Sequence, residues 1–381
     1  MTRQHQMTRR GFASALACAL GLGITGGLAA CGNQASTGAN DASSSSVGSA
    51  AEASSTRTFT DSCGRTVELP AEVAKVAPSG PLAQQILLTV DTSKLCGMAT
   101  KLSDDQKRLF GDAAVELPVF GQIYGGKGDF NKESVADAAP DLIIDVGEAK
   151  DTIVEDMDNL QEQLGIACVH VEATLDTYDS VYEQLGGLLG EESRCSDLSA
   201  YCRNAYDEVN AVVSTLADTD RPKVAYLLGD SGLNAIAKGS YQDNVIDFVA
   251  ENAIEVEKAS GSGMGQEVSL EQIATVDPEM IVFGPDSIYD TVGSDSAWAG
   301  IAAIRDQNYF QVPSVPYNWL SSPPSVNQVL GMQWFARLCY PDRFQTGVKD
   351  VAVSYFKTLY GYDLSDEECT IILAGALPKG E

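Results

Sequence analysis

Glu191-Glu192-Ser193-Arg194-Cys195-Ser196-Asp197-Leu198-Ser199-Ala200-Tyr201-Cys202-Arg203-Asn204-Ala205-Tyr206-Asp207-Glu208-Val209-Asn210-Ala211-Val212-Val213-Ser214-Thr215-Leu216-Ala217 is the stretch around which the chain is organised. Cys195, Leu198, Cys202, Ala205, Val209, Val212 and Leu216 recur in alternating steps of three and four, which places them on one stripe of an α-helix. Asp197, Arg203, Asp207, Glu208 and Asn210 fall mostly off that stripe. No proline interrupts the run, and Asp218–Pro222 stops it. At ~1.5 Å per residue the helix spans roughly 40 Å, enough to cross a domain. Read alone it is an ordinary amphipathic helix or a coiled-coil strand, although the heptad pattern lasts fewer than four repeats.

Its flanks say more. Asn131-Lys132-Glu133-Ser134-Val135-Ala136-Asp137-Ala138-Ala139-Pro140-Asp141-Leu142-Ile143-Ile144 precedes it, and Ser269-Leu270-Glu271-Gln272-Ile273-Ala274-Thr275-Val276-Asp277-Pro278-Glu279-Met280-Ile281-Val282 follows it. Glu133 meets Glu271, Ala136 meets Ala274, Pro140 meets Pro278 and Ile143 meets Ile281, at a constant offset. Each copy predicts an N-cap, a short helix, a Pro-acid turn and a buried strand. The expected fold class is therefore α/β: two Rossmann-like lobes, one on each side of a single long helix.

The chain of 381 residues suffices for two domains. A formal charge of −28 leaves no basic face for phosphates, so nucleic acid is excluded as a partner. Nine cysteines include no C-x-x-C pair, and Cys195 and Cys202 lie two helical turns apart, too far to bridge. The thiols read as small buried core groups. Of two histidines, His5 precedes the folded part and His170 sits in an alternating strand, so no multi-histidine metal site is available. No metal site and no cofactor are expected.

Thr8-Arg9-Arg10-Gly11-Phe12, an apolar run and Leu28-Ala29-Ala30-Cys31 form an export signal. The arginine pair resembles a twin-arginine signal, and the last four residues resemble the lipobox of bacterial lipoproteins. That resemblance implies a mature chain starting at a lipidated Cys31. The Ser, Ala and Gly-rich residues that follow read as a flexible tether.

Candidate ligand contacts stand at strand ends and helix starts. Lys75-Val76-Ala77 runs into Pro78-Ser79-Gly80-Pro81 and a helix at Leu82–Val90, where backbone N–H groups favour an anion or merely begin a capped helix. Four glycines between Gly121 and Gly128 either let the backbone approach a ligand or make a tight turn, and Tyr124 and Lys127 add an aromatic face and a cation. Strand ends at Glu148 and at Asp286 and Tyr289 line the expected crevice. Lys238, Ser240 and Tyr241 cluster before a helix; Lys238 is either an anion contact or a solvated surface lysine. Tyr317 and Trp319 are cleft wall, unless Trp319 caps the core.

Asp61-x-x-Gly64-Arg65-x-Val67-x-Leu69-Pro70, the paired helix-turn-strand units and Trp298-x-x-Ile301-x-Ala303 together resemble substrate-binding lipoproteins of ABC importers, the group that carries iron-siderophore chelates, cobalamin, haem and sometimes molybdate or tungstate. The resemblance runs from about Phe59 to Phe344. With the signal at 1–31 and the tether at 32–57, it implies an N-terminal lobe at 58–190, the linker helix at 191–217 and a C-terminal lobe at 218–344; a helical extension expected at 345–381 departs from the family pattern. It implies a non-enzymatic monomer, lipid-anchored at the membrane, that holds a metal chelate or oxyanion between its lobes and delivers it to a permease. Glu133 and Glu271 match the family's permease-docking glutamates; alternatively they are ordinary first-turn acids favoured by the helix dipole. Two rivals share the frame: an enzyme, either a metal chelatase or a nitrogenase-like reductase, and a tethered ligand sensor. A chelatase needs a cleft histidine, and a cluster-bearing reductase needs cysteines at loop ends.

Overall fold

The computed structural model describes residues 56–111, 114, 116–124, 129–260 and 263–378. The expected leader, Cys31, the tether and Lys127 lie outside the described residues.

The described residues open with a hairpin, β1 (Thr56–Thr60) and β2 (Thr66–Pro70). Asp61 fixes its turn: its carboxylate accepts from the amides of Cys63 and Arg65 and pairs with the Arg65 guanidinium at 2.9 Å. Arg65 in turn reaches Asp158 and the carbonyl of Cys168 on the first sheet. That sheet is parallel, ordered β3 (Val76–Pro78), β4 (Leu142–Gly147), β5 (Ala167–Glu172). The predicted strand at Leu95–Ala99 is reduced to isolated bridges, Val76 to Leu95 and Met98 to Val119.

The second sheet is mixed. β6 (Lys223–Leu228), β10 (Met280–Phe283) and β11 (Tyr309–Gln311) run parallel. β7 (Asn234–Ile236) folds back antiparallel on β6, β9 (Gln266–Glu267) pairs β7, and β8 (Glu251–Asn252) pairs the start of β6. Gly229 and Gly232, both at positive φ, turn the chain between β6 and β7.

Both repeats form. Asn131 and Ser269 accept from the amides of Ser134 and Gln272, capping helices Lys132–Ala138 and Leu270–Val276. Each helix ends on a left-handed residue, Ala139 or Asp277, immediately before its proline. The acids after the prolines have equivalent tasks. Asp141 accepts from the amides of Ala74 and Lys75 at the start of β3, and Glu279 accepts from the amide of Lys223 at the start of β6.

The linker helix runs Glu192–Val213 and buries Cys195, Leu198, Cys202, Ala205 and Val209. Val213, rather than the predicted Val212, completes the stripe, and the helix stops before Leu216. The Thr215 hydroxyl bonds the Val212 carbonyl there, a local partner that competes with a further turn. The helix packs along Tyr178–Leu189, Asn327–Cys339 and Val348–Tyr360. Alternate residues of β4, β6 and β10 join the same continuous core: Leu142, Ile144 and Val146, then Val224 and Tyr226, then Met280 and Val282. The intervening residues face two separate outer cores, Ile143 in one, Ala225, Leu227, Ile281 and Phe283 in the other. Strands buried on both faces explain the unbroken apolar runs.

Two arginines lock this packing. Arg194, on the linker helix, donates to Thr89 at the end of helix Pro81–Val90 and to Thr358 and Leu359 at the end of Val348–Tyr360. One guanidinium thus caps two helix C-termini. Arg337 binds Glu208 of the linker helix at 2.8 Å and the Thr346 carbonyl. Arg194→Met leaves partly buried carbonyls unpaired and is expected to cost roughly 2–3 kcal/mol. The check is urea unfolding, with a lower midpoint and an unchanged slope; an unmoved midpoint refutes the lock.

Candidate functional site

Strands β3 and β4 end side by side, and the loops leaving them enclose a cavity of about 470 Å³. Ser79 to Leu82, Gln122, Tyr124, Asp145 and Gly147 to Lys150 line it from the first sheet, Tyr241 and Gln242 from the second, with Pro323 and Pro324 at its edge. The two sheets come close here. Gly147 has φ 149°, and a Cβ at that position would lie 3.3 Å from Leu82 and 3.7 Å from the Tyr241 hydroxyl. A side chain would fill the passage, so glycine stands at the strand end.

The cavity is rich in donors. Helix Pro81–Val90 starts at Gly80 with no side-chain cap and proline in its first turn, so its positive end is left to the cavity. The Lys150 ammonium lies 3.3 Å above the Tyr124 ring. Burial lowers the Lys150 pKa, against the opposing pull of Asp145 and Asp156. The Tyr124 hydroxyl is buried without a hydrogen-bond partner, and the Gln242 amide oxygen likewise. Burial, then Asp145 and Asp156, raise the Tyr124 pKa; burial pushes Tyr241 up to about 12. Both phenols keep their protons at neutral pH.

Behind the cavity lies a buried chain of contacts. The Ser79 hydroxyl donates to Asp145, whose other oxygen is 2.7 Å from His170 Nδ1. His170 is 1% exposed, and its Nε2 has no partner. On the far side, Asp243 holds the loop that carries Tyr241: it accepts from the Gly239 amide and the Asn252 side chain, and burial pushes its carboxyl up to about 7.

A second cavity of about 1140 Å³ adjoins the first across Pro81 and Pro323. Tyr226, Asp230, Asp286, Tyr317 and Asn318 face residues Thr100 to Gln106 across it, and the Tyr317 hydroxyl is buried without a partner.

Ser79, Gly80, Tyr124, Glu148 and Tyr241 therefore meet at the first cavity, and Asp286 and Tyr317 at the second. Three expected contacts stand elsewhere. Lys238 is exposed and pairs with Glu255 at 3.3 Å, because β7 ends before it and turns it outward. Trp319 is 1% exposed, edge-on to Trp334, with its indole N–H on the Val315 carbonyl. Gly331 lets the helix press so close to the Trp319 backbone that a Cβ would lie 2.0 Å from its carbonyl oxygen. Tyr289 packs on Phe283 and Tyr309. The sequence reading missed Lys150 and the Asp145–His170 pair. An acid inside the run Leu142–Val146 was the available signal, since buried charge needs a partner.

Three comparisons bear on identity. The sequence profile described as periplasmic binding protein matches residues 103–316. The molybdate-binding protein MolA of Haemophilus influenzae is 27% identical over 161 residues, covering 41% of this chain and 44% of that protein, so the match spans less than half of the relative's length. Among solved structures, an ABC transporter solute binding protein from Sulfurospirillum deleyianum superposes with a TM-score of 0.76 at 27% identity, over 84% of this chain and 99% of that one. A periplasmic solute binding protein from Veillonella parvula shares the fold with a TM-score of 0.68 at 23% identity, over 84% and 98%. These relatives are solute-binding proteins, not enzymes. With its profile covering more than half the sequence and the two-lobed fold matching over 84% of the chain, the chain belongs to the periplasmic binding protein family.

Proposed function

We propose that the protein is the extracytoplasmic solute-binding component of an ABC importer and that its cargo is a small tetrahedral oxyanion of the molybdate class. The observation that carries this reading is the first cavity, where an uncapped helix start, the Lys150 ammonium and the Tyr124 and Tyr241 phenols converge. Such donors suit an anion. The molybdate binding of MolA supports the same class. Lys127, outside the described residues, is a further candidate cation from the glycine-rich loop. A metal chelate is the second reading, favoured by the larger cavity with its unpartnered Tyr317 hydroxyl.

In this reading the lobes at 58–190 and 218–344 hold the cargo and 191–217 joins them. Residues 345–378, the described part of the extension at 345–381, brace the join. Cys31 carries lipid, the export route is the twin-arginine one, 32–57 tethers a monomer to the membrane, and Glu133 and Glu271 meet the permease. Both glutamates are exposed in the first turns of equivalent helices.

A calorimetric panel of molybdate, tungstate, sulfate, phosphate and a ferric catecholate chelate tests the cargo; tight binding of the chelate alone refutes the oxyanion. Lys150→Ala is expected to weaken molybdate binding roughly tenfold to a hundredfold, as loss of a charge-assisted contact does. Lys238→Ala should leave it unchanged, and the reverse pattern sinks the site. For delivery, Glu133→Ala with Glu271→Ala should preserve cargo affinity and stop uptake by whole cells. Normal uptake by that double variant removes the docking role.

A further inference from the structure

The cavity floor carries a carboxylate that an anion site does not need. Asp145 lines the cavity, is 5% exposed, and is held between the Ser79 hydroxyl and His170. β4 and β5 place Asp145 and His170 directly opposite each other, so the pairing is built into the sheet register. With the carboxylate ionised and the imidazole neutral, His170 Nδ1 donates to Asp145, and Nε2 is left bare. The Ser79 proton is committed to Asp145 as well. In that state the floor presents a negative charge and a hydroxyl that cannot donate to the cargo.

We propose that His170 and Asp145 form a proton-linked selector beneath the cavity: loading an oxyanion adds one proton to the pair, and affinity for the anion falls as pH rises. This rests on the oxyanion reading. Wherever the proton resides, the pair goes from net negative to neutral, which removes repulsion against the cargo. On the carboxyl it would also free the Ser79 hydroxyl to donate.

The surrounding groups do not supply the same response. Asp61 and Arg65, from the hairpin, form their own ion pair beside His170, and Asp61 accepts from the His170 amide at 3.4 Å. Cys63, Cys168, Tyr124 and Tyr241 stand near Asp145, and burial moves each away from neutrality, Cys168 and Tyr241 to about 12. Lys150 sits near Asp145 and Asp156, Glu148 follows β4, and Glu172 ends β5. Asp243, with its carboxyl pushed up to about 7, and Lys150, with its pKa lowered, are the two groups that could add a slope of their own.

Linkage sets the sign. A site that gains a proton on loading binds tightest at low pH and loses affinity as pH rises, by at most about tenfold per pH unit for one proton. The test is calorimetry of the full chain with sodium molybdate in buffers of different ionisation enthalpy, at about pH 6.5 and 8.5, on the wild type, Asp145→Asn and His170→Gln. The wild type should take up close to one proton and bind several-fold to tenfold more tightly per unit of falling pH. Asp145→Asn should bind at least as tightly at high pH, with the uptake and the slope gone, and His170→Gln should flatten the slope. A purely structural pair predicts weaker binding of Asp145→Asn at every pH with the slope retained. A retained slope then belongs to Lys150 or Asp243 and overturns the proposal. Molybdate heat without proton uptake in the wild type overturns it too. No molybdate heat at any pH overturns the cargo reading, and this inference with it.

Discussion

Everything in this fold depends on one apolar seam. Each of the strands β4, β6 and β10 sends alternate residues inward to the core that the linker helix also enters and the others outward to a core of its own lobe. Because the inward residues of both sheets and that helix share one core, the two sheets are joined along it. Burial at ~25 cal/mol per Å² is strong but has no direction. Orientation comes from polar locks laid over the seam, Arg194 across two helix ends and Arg337 onto Glu208. The segment after Phe344 belongs to this seam: Tyr355 bonds the Val326 carbonyl, and Trp334 bonds that of Ala376.

An acidic protein that receives an anion presents no contradiction at these distances. Surface charges farther than a Debye length, about 8–10 Å in physiological salt, are largely screened from the cavity. Of the acids that line the cavity, Asp145 is held by Ser79 and His170, and Glu148 is exposed at its edge. What a cargo meets is local, an open helix start, one ammonium and two protonated phenols, with the Asp145 and Glu148 carboxylates against them. The second cavity carries one acid more, with Asp105, Asp230 and Asp286 on its wall and Lys101 against them. A dianion is held more easily in the first.

Periodicity and repetition carried the fold in the sequence. The two helix-turn-strand units were legible because capping, the proline turn and the acid after it each have a local cause, seen in Asn131, Ser269, Asp141 and Glu279. Candidates at strand ends also emerged, since parallel strands deliver their loops to one edge; Ser79, Gly80, Glu148 and Tyr241 are examples. Side-chain direction did not emerge. Lys238 and Lys150 are both lysines just past a strand, and only the path of the next turn sends one outward and the other over Tyr124. Trp319 was ambiguous because an aromatic before a helix suits a cleft wall or a core cap equally, and Gly331 decides between them by admitting the backbone. The Asp145–His170 pair depends on register between strands distant in sequence, and register is invisible to composition.

The orphaned groups connect the seam to the site. A buried hydroxyl or amide without a partner costs about 1–3 kcal/mol. Tyr124, Tyr317 and Gln242 each have such an atom at the cleft. A pliable protein would rotate them toward water or toward one another. Here the loops that bear them are fastened, Tyr124 by the Ile123 amide on the Ser79 carbonyl, and Gln242 by the neighbouring Asp243 clasp. The fastening loops rest on strands that the shared core holds still. The stability gathered along the linker helix thus keeps polar atoms unsatisfied at the cleft. A cargo that satisfies them recovers that cost without ordering new side chains, which is how a stiff frame binds a small solute with few contacts.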